Sequence, residues 1–168
     1  MEPIVNGFGE MDVEFRAMLG KGEKFEHAAG IELTMPSASS NGLGTGQTVL
    51  RLAWGFSAPI TSSTLLSGEV GYDKAVGTDR PQPGVHFLEP ELILTQALGK
   101  RVAVFVDWDS YADFQTTRYI QTLKAGIEIE LDRRRRWSLA PFAQFPLTSS
   151  SRTAEYKNSI GADLIYNF

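Results

Sequence analysis

Cysteine is missing altogether from the 168 residues, which excludes disulfides, thiolate metal sites and thiol nucleophiles. Long apolar runs are missing too. No stretch approaches the roughly 18 consecutive apolar residues of a spanning helix, although a spanning strand needs only about ten. Helical periodicity is almost absent and histidine is limited to His27 and His86. Basic residues are in the minority, 16 against 20 acids for a net charge of -4, so nothing suggests a polyanionic partner and nucleic acid is not expected. Residues Met1 to Gly7 lack the basic start, apolar stretch and small-residue cleavage site of a secretory signal.

What the chain has is aromatic residues and glycine: ten Phe, five Tyr, three Trp and 16 Gly, with 42% hydrophobic residues overall. This composition favours strands and turns over disorder or helix. Apolar residues alternate with polar or small ones in nine segments, the period of a strand with two unlike faces. Met11, Val13, Phe15, Ala17 and Leu19 form the first apolar row, and Phe25, His27, Ala29, Ile31, Leu33 and Met35 the second. Leu50, Leu52, Trp54 and Phe56 follow, then Leu66, Val70 and Tyr72. The fifth segment, about His86 to Leu98, contains Pro90, which predicts a bulge or bend. Val102 to Trp108 and Leu123 to Leu131 alternate cleanly. Trp137 to Leu147 is ambiguous because Phe142 and Pro146 fall on the polar side, and Tyr156 to Phe168 closes the series.

Connections alternate in length. Gly20–Lys24, Pro59–Ser63, Gly99–Lys100 and Asp132–Arg136 read as short turns; Pro36–Gln47, Lys74–Gly84, Ser110–Arg118 and Thr148–Ala154 read as longer, Gly- and Ser-rich loops. No linker interrupts this pattern, so residues 1–168 form one domain, with 1–9 a loop or partial strand.

The polar rows decide between kinds of sheet. They hold Glu10, Asp12, Glu14, Glu26, Glu32, Glu69, Asp73, Glu89, Glu91, Asp107, Asp109, Glu128, Glu130, Glu155 and Asp163, with Arg16, Arg51, Lys124 and Lys157. A dry core cannot hold so many charges, since each unpaired one costs several kcal/mol. The charged surface must therefore face water, inside or outside, and the apolar surface needs the partner. No helix is available to supply it, whereas in a membrane barrel lipid does, with short turns at one end and longer loops at the other. Trp54, Tyr72, Trp108, Trp137, Tyr156 and Tyr166 suit interfacial girdles.

The final residues Leu164-Ile165-Tyr166-Asn167-Phe168 resemble the C-terminal signature strand of Gram-negative outer-membrane barrels, which implies that Tyr166 and Phe168 carry the signal read by the barrel-assembly machinery. Gly7-Phe8-Gly9-Glu10-Met11, Gly30-Ile31-Glu32-Leu33-Thr34-Met35-Pro36-Ser37 and Gly42-Leu43-Gly44-Thr45-Gly46 resemble the middle and C-terminal part of the phenol-degradation meta-pathway family of outer-membrane transporters. That resemblance implies an uptake role, with hydrophobic or aromatic solutes, and supplies no catalytic residues.

Bacterial single-chain barrels have an even number of strands. Nine segments then predict a missing strand upstream of Met1, as in a truncated 12-stranded barrel, or a poor tenth strand around Ile4 and Val5.

Pairs such as Asp107 and Asp109, Glu89 and Glu91, and Glu128 and Glu130 set two carboxylates about 7 Å apart on one strand face. Such pairs suit acid–base work on a glycosidic bond or a hard cation; the plainer expectation is a wet wall whose acids pair with Arg51, Lys124 and Lys157. His27 and His86 lie in apolar rows without metal-ligand spacing, and Ser67 or Ser138 would need a histidine alongside to act as a nucleophile. Arg133-Arg134-Arg135-Arg136 reads as a solvated turn, and Gly42 to Gly46 has no following helix to make a phosphate loop.

The leading expectation is thus an all-β, antiparallel, up-and-down transmembrane barrel in the outer membrane that binds or passively passes small solutes. Its acidic lumen would be lined by Arg16, Glu32, Arg51, Glu69, Glu89, Glu91, Asp107, Asp109, Lys124, Glu128, Glu130 and Asp163, with no cofactor or metal and no catalytic residues. Two alternatives are a soluble, lipocalin-like ligand-binding barrel, with an apolar lumen and polar exterior, and an outer-membrane lipid hydrolase.

Overall fold

A computed structural model of the chain describes residues 10–36, 47–78, 86–132, 136–148 and 158–166. These form nine strands: β1 (Glu10–Lys21), β2 (Glu26–Pro36), β3 (Gln47–Pro59), β4 (Thr64–Thr78), β5 (His86–Ala97), β6 (Val102–Asp113), β7 (Arg118–Glu130), β8 (Trp137–Pro146) and β9 (Ser159–Tyr166). Each pairs antiparallel with its neighbours in sequence, in the single order β1 to β9. The fold is all-β and up-and-down, with β1 and β9 at the two edges of an open sheet, consistent with the wall of a barrel. Ile4, Val5, Tyr156, Lys157 and Phe168, and with them the suggested tenth strand, lie outside the described residues.

Direct partners in an antiparallel ladder point to the same side, so the registers sort the side chains. Phe15, Ile31, Leu52, Tyr72 and Leu88 form one continuous outward row across β1 to β5, and Val106 and Ala125 continue that face in β6 and β7. On the other side, Glu32 pairs with Arg51, Arg51 with Asp73, Glu91 with Asp109 and Asp107 with Lys124. The alternation read from the sequence is therefore the two-faced pattern of the folded sheet.

Four details differ from expectation. Pro90 causes no bulge: Leu88 pairs with Ala112 and Glu91 with Asp109 in unbroken register. Proline has no N–H to give the ladder, but a pause in bonding toward β6 suffices, while Val70 still faces Pro90 from β4. The register instead shifts between Met18 and Gly20, and between Thr48 and Val49. The first shift takes Leu19 out of its expected row, leaving Gly20 opposite His27. A side chain at Gly20 would have to push the His27 ring aside, since a Cβ would lie 2.6 Å from His27 Nε2.

The long loop expected over Ser110–Arg118 shrinks to residues 114–117, because β6 runs on to Asp113. Asp113 stops it: Oδ1 accepts the N–H groups of Gln115 and Thr116 at 2.8 and 3.2 Å, and Thr117 takes a φ of 54°. These side-chain bonds replace the ladder and reverse the chain. Because the strands run further than expected, Trp54, Tyr72 and Trp108 sit within β3, β4 and β6, and only Trp137 and Tyr166 of the described girdle residues occupy strand ends, with ring centroids 4.6 Å apart.

Conventional packing is almost absent. Among the described residues the sole buried hydrophobic side chain is Ala140, whereas Gln47, Asp73, Ser110, Thr122 and Ser138 are buried polar ones. Large apolar groups lie in the open: Phe15 is 70% exposed, Leu164 63% and Leu52 48%.

Candidate functional site

Parity along the strands gathers Arg16, Glu32, Arg51, Glu69, Glu89, Glu91, Asp107, Asp109, Lys124, Glu128, Glu130 and Asp163 onto one face. Tyr166 points to the opposite face, beside Trp137.

Within the polar face, Arg51 on β3 is the main junction. Its Nη1 donates to Asp73 Oδ2 at 3.0 Å and to Glu89 Oε2 at 2.6 Å, and its Nη2 donates to Glu69 Oε1 at 3.1 Å. Three carboxylates from β4 and β5 are thus held by one planar fork, the geometry for which arginine is suited and lysine is not. Asp73 is only 5% exposed, and its charge is tolerable there because the guanidinium compensates it. Arg16 bonds Glu14 on its own strand and reaches Glu69 at 3.4 Å on β4. A cavity of about 200 Å³ opens beside this group, lined by Arg51, Glu69, Glu89, Glu91 and Asp109.

A second group lies on β6 to β9. Lys124 Nζ donates to Asp163 Oδ2 at 2.8 Å and stands 4.0 Å from the centre of the Phe142 ring, with Phe105 further off at 6.0 Å. Both rings are on the charged face. Phe105 pairs with Gly126, and Phe142 with Gly126 and Gly161. A Cβ on Gly126 or Gly161 would come within 2.6 Å of a ring carbon, so the glycines let the rings lie across the sheet. Phe142 therefore does occupy the polar side, as its position in the sequence suggested, for a reason that sequence did not supply. Phe105, between Val104 and Val106, carried the same parity signal unnoticed.

These bridges have a shared geometry. Arg51 to Glu89 and Lys124 to Asp163 each skip a strand, and Arg16 to Glu69 skips two. On the apolar face, ring contacts join only neighbouring strands or their adjoining turns: His27 with Trp54, Tyr72 with His86, Trp137 with Tyr166. Side chains from non-adjacent strands converge on the inside of a curl and diverge on its outside. The charged face thus behaves as the concave one.

Neither histidine meets a serine. His27 Nδ1 accepts the Trp54 indole N–H at 3.3 Å and His86 Nε2 shares a hydrogen bond with the Tyr72 hydroxyl at 2.9 Å, both on the apolar face. Ser67 and Ser138 lie on the other side, opposite Ile93 and Ile165. Among the described residues no group of three or more metal-binding side chains converges. Arg133 to Arg135 lie outside the described residues; on either side of them, Asp132 Oδ1 accepts the N–H groups of Arg136 and Trp137 at 2.7 and 2.9 Å.

The class so defined is an up-and-down antiparallel β-sheet with a charged concave face and an exposed apolar convex one. No family model and no curated protein matches the chain. No helix among the described residues is long and apolar enough to cross a membrane, which says nothing about strands.

Proposed function

We propose that the protein is an integral outer-membrane β-barrel through whose acidic interior small solutes bind or diffuse passively, hydrophobic or aromatic compounds among them. The observation that carries this reading is the inverted burial: each of the nine strands sets a row of largely exposed apolar side chains on the convex face, while the charged ones converge across strands on the other. An apolar surface of this extent demands a partner, and hydrocarbon supplies one for every strand at once.

Strand length supports it. From β1 to β8 the strands have 10 to 15 residues, about twice the usual length in globular proteins. Twelve residues at about 3.3 Å each, tilted by about 40°, rise roughly 30 Å, enough to cross a bilayer's hydrocarbon core. In this reading lipid contacts the convex face, the assembly machinery contacts the C-terminal strand, and no nucleotide or metal takes part. The uptake role implied by the family resemblance remains part of the proposal. A soluble barrel with an apolar lumen would reverse the faces, and the strand-skipping ion pairs argue against that reversal.

Spin labels provide the test. Labels at Ile129 and Leu164 should relax with membrane-dissolved oxygen, and a label at the half-buried Glu128, on the concave side of β7, with a water-soluble reagent. A reversed pattern, or a monodisperse aqueous preparation without detergent, would overturn the membrane reading.

A further inference from the structure

We propose that Arg51, seated on Gly71, sets both the width and the charge selectivity of the interior; the inference rests on the passage reading above. Gly71 lies two positions from both Glu69 and Asp73 on β4, on the concave face, and is buried. A Cβ at Gly71 would lie 2.5 Å from Arg51 Cζ and 2.9 Å from Nε, a separation that van der Waals repulsion forbids. The guanidinium therefore lies flat against the wall in the space that the missing side chain leaves. From there it reaches Asp73, Glu69 and Glu89, while Glu91 and Asp109 complete the adjoining cavity.

Two consequences follow from one placement. Lying flat, the long side chain keeps out of the path that a solute would take. At the same time it places one positive charge among five carboxylates, which tempers an otherwise strongly cation-attracting stretch of wall. Glycine in the interior of a strand costs stability, and here its smallness serves Arg51.

The experiment is planar-bilayer recording of the full-length protein in KCl gradients, with wild type, R51Q, R51K and G71A, each checked for heat-modifiable migration. R51Q should raise the potassium-to-chloride permeability ratio by up to about thirtyfold, since one unit charge roughly 4 Å from the path alters the weight of a cation and of an anion in water by about fivefold each, in opposite senses, and should not lower conductance. R51K, which restores the charge, should return the ratio toward wild type. G71A keeps every charge and lifts the guanidinium from the wall, so conductance should fall. A fall in conductance with G71A but not with R51Q, at two touching residues, would not arise from general loosening. Because G71A requires only the end of a flexible side chain to move, it carries the test alone if R51Q fails to fold with Asp73 buried and unpaired. Conductance with an unchanged ratio in R51Q, or an unchanged or raised current in G71A, overturns this inference and leaves passage standing. A folded wild-type protein with no conductance overturns passage and this inference together.

Discussion

At the scale of single residues, glycine and charge explain one another. Gly126 and Gly161 are flat places on which Phe105 and Phe142 lie, and the ring of Phe142 in turn supports Lys124. A Gly126→Val substitution would push a branched side chain against Phe105 and the Pro141 carbonyl. Overpacking of this kind costs about 1–3 kcal/mol, and the expected result is a correspondingly lower unfolding midpoint in detergent. Phe142→Leu should be much milder, because the apolar cover over Gly161 remains and only the ring's attraction for the ammonium, about 0.5–1 kcal/mol at a half-exposed site, is lost. Comparing the two midpoints checks whether steric fit or cation–ring attraction dominates. Little of this was legible beforehand: Arg51, Lys124 and their acids could be assigned to one face by counting in twos, but not which acid meets which base. Partner choice depends on reach across strands that are distant in sequence, as Lys124 and Asp163 show.

The elements follow the sequence pattern more closely than their ends do. Alternation of branched and aromatic residues with charges placed all nine strands, since an error of one residue would turn a whole row to the wrong face. Boundaries depended on local bonds that the pattern does not encode. Asp113 ends β6 later than its Ser and Asp neighbours suggested, and Thr117 follows in a left-handed conformation. Asp113→Ala should remove the bonds to Gln115 and Thr116, costing about 1 kcal/mol and speeding hydrogen exchange at those two amides. Thr117→Asn should act the other way and raise stability by up to about 1 kcal/mol, because asparagine tolerates positive φ better than a β-branched residue does. An unchanged unfolding midpoint in both variants would show that the 114–117 turn contributes nothing to stability. Pro90 teaches a related lesson: a residue that breaks ladders in isolation is accommodated where the neighbour on its other side continues the sheet.

For the whole molecule, the question is what covers the convex face, and it has a direct test. Leu52 and Ile129 are 48% and 37% exposed on that face. On a soluble surface, arginine at either position would change stability by no more than about 0.5 kcal/mol. Facing hydrocarbon, it should cost roughly 2–4 kcal/mol at Leu52, in the middle of β3, and no more than about 1 kcal/mol at Ile129, next to the end of β7. Arginine at Thr122, buried on the concave side of β7, should instead act by crowding and should change conductance at a given degree of folding. Unfolding in urea from lipid vesicles, read by the shift of tryptophan fluorescence, measures each case.

The primary sequence by itself determined the fold class, the number of strands among the described residues and which side of each carries charge, because a period of two is a local property that each segment states independently. Only the tertiary structure decided that the charged side is the one whose members converge, that Arg51 gathers Glu69, Asp73 and Glu89, and that Phe105 and Phe142 lie over Gly126 and Gly161 beside Lys124. Those relations depend on the curl of the sheet and on side chains meeting across intervening strands, distances that no local pattern records.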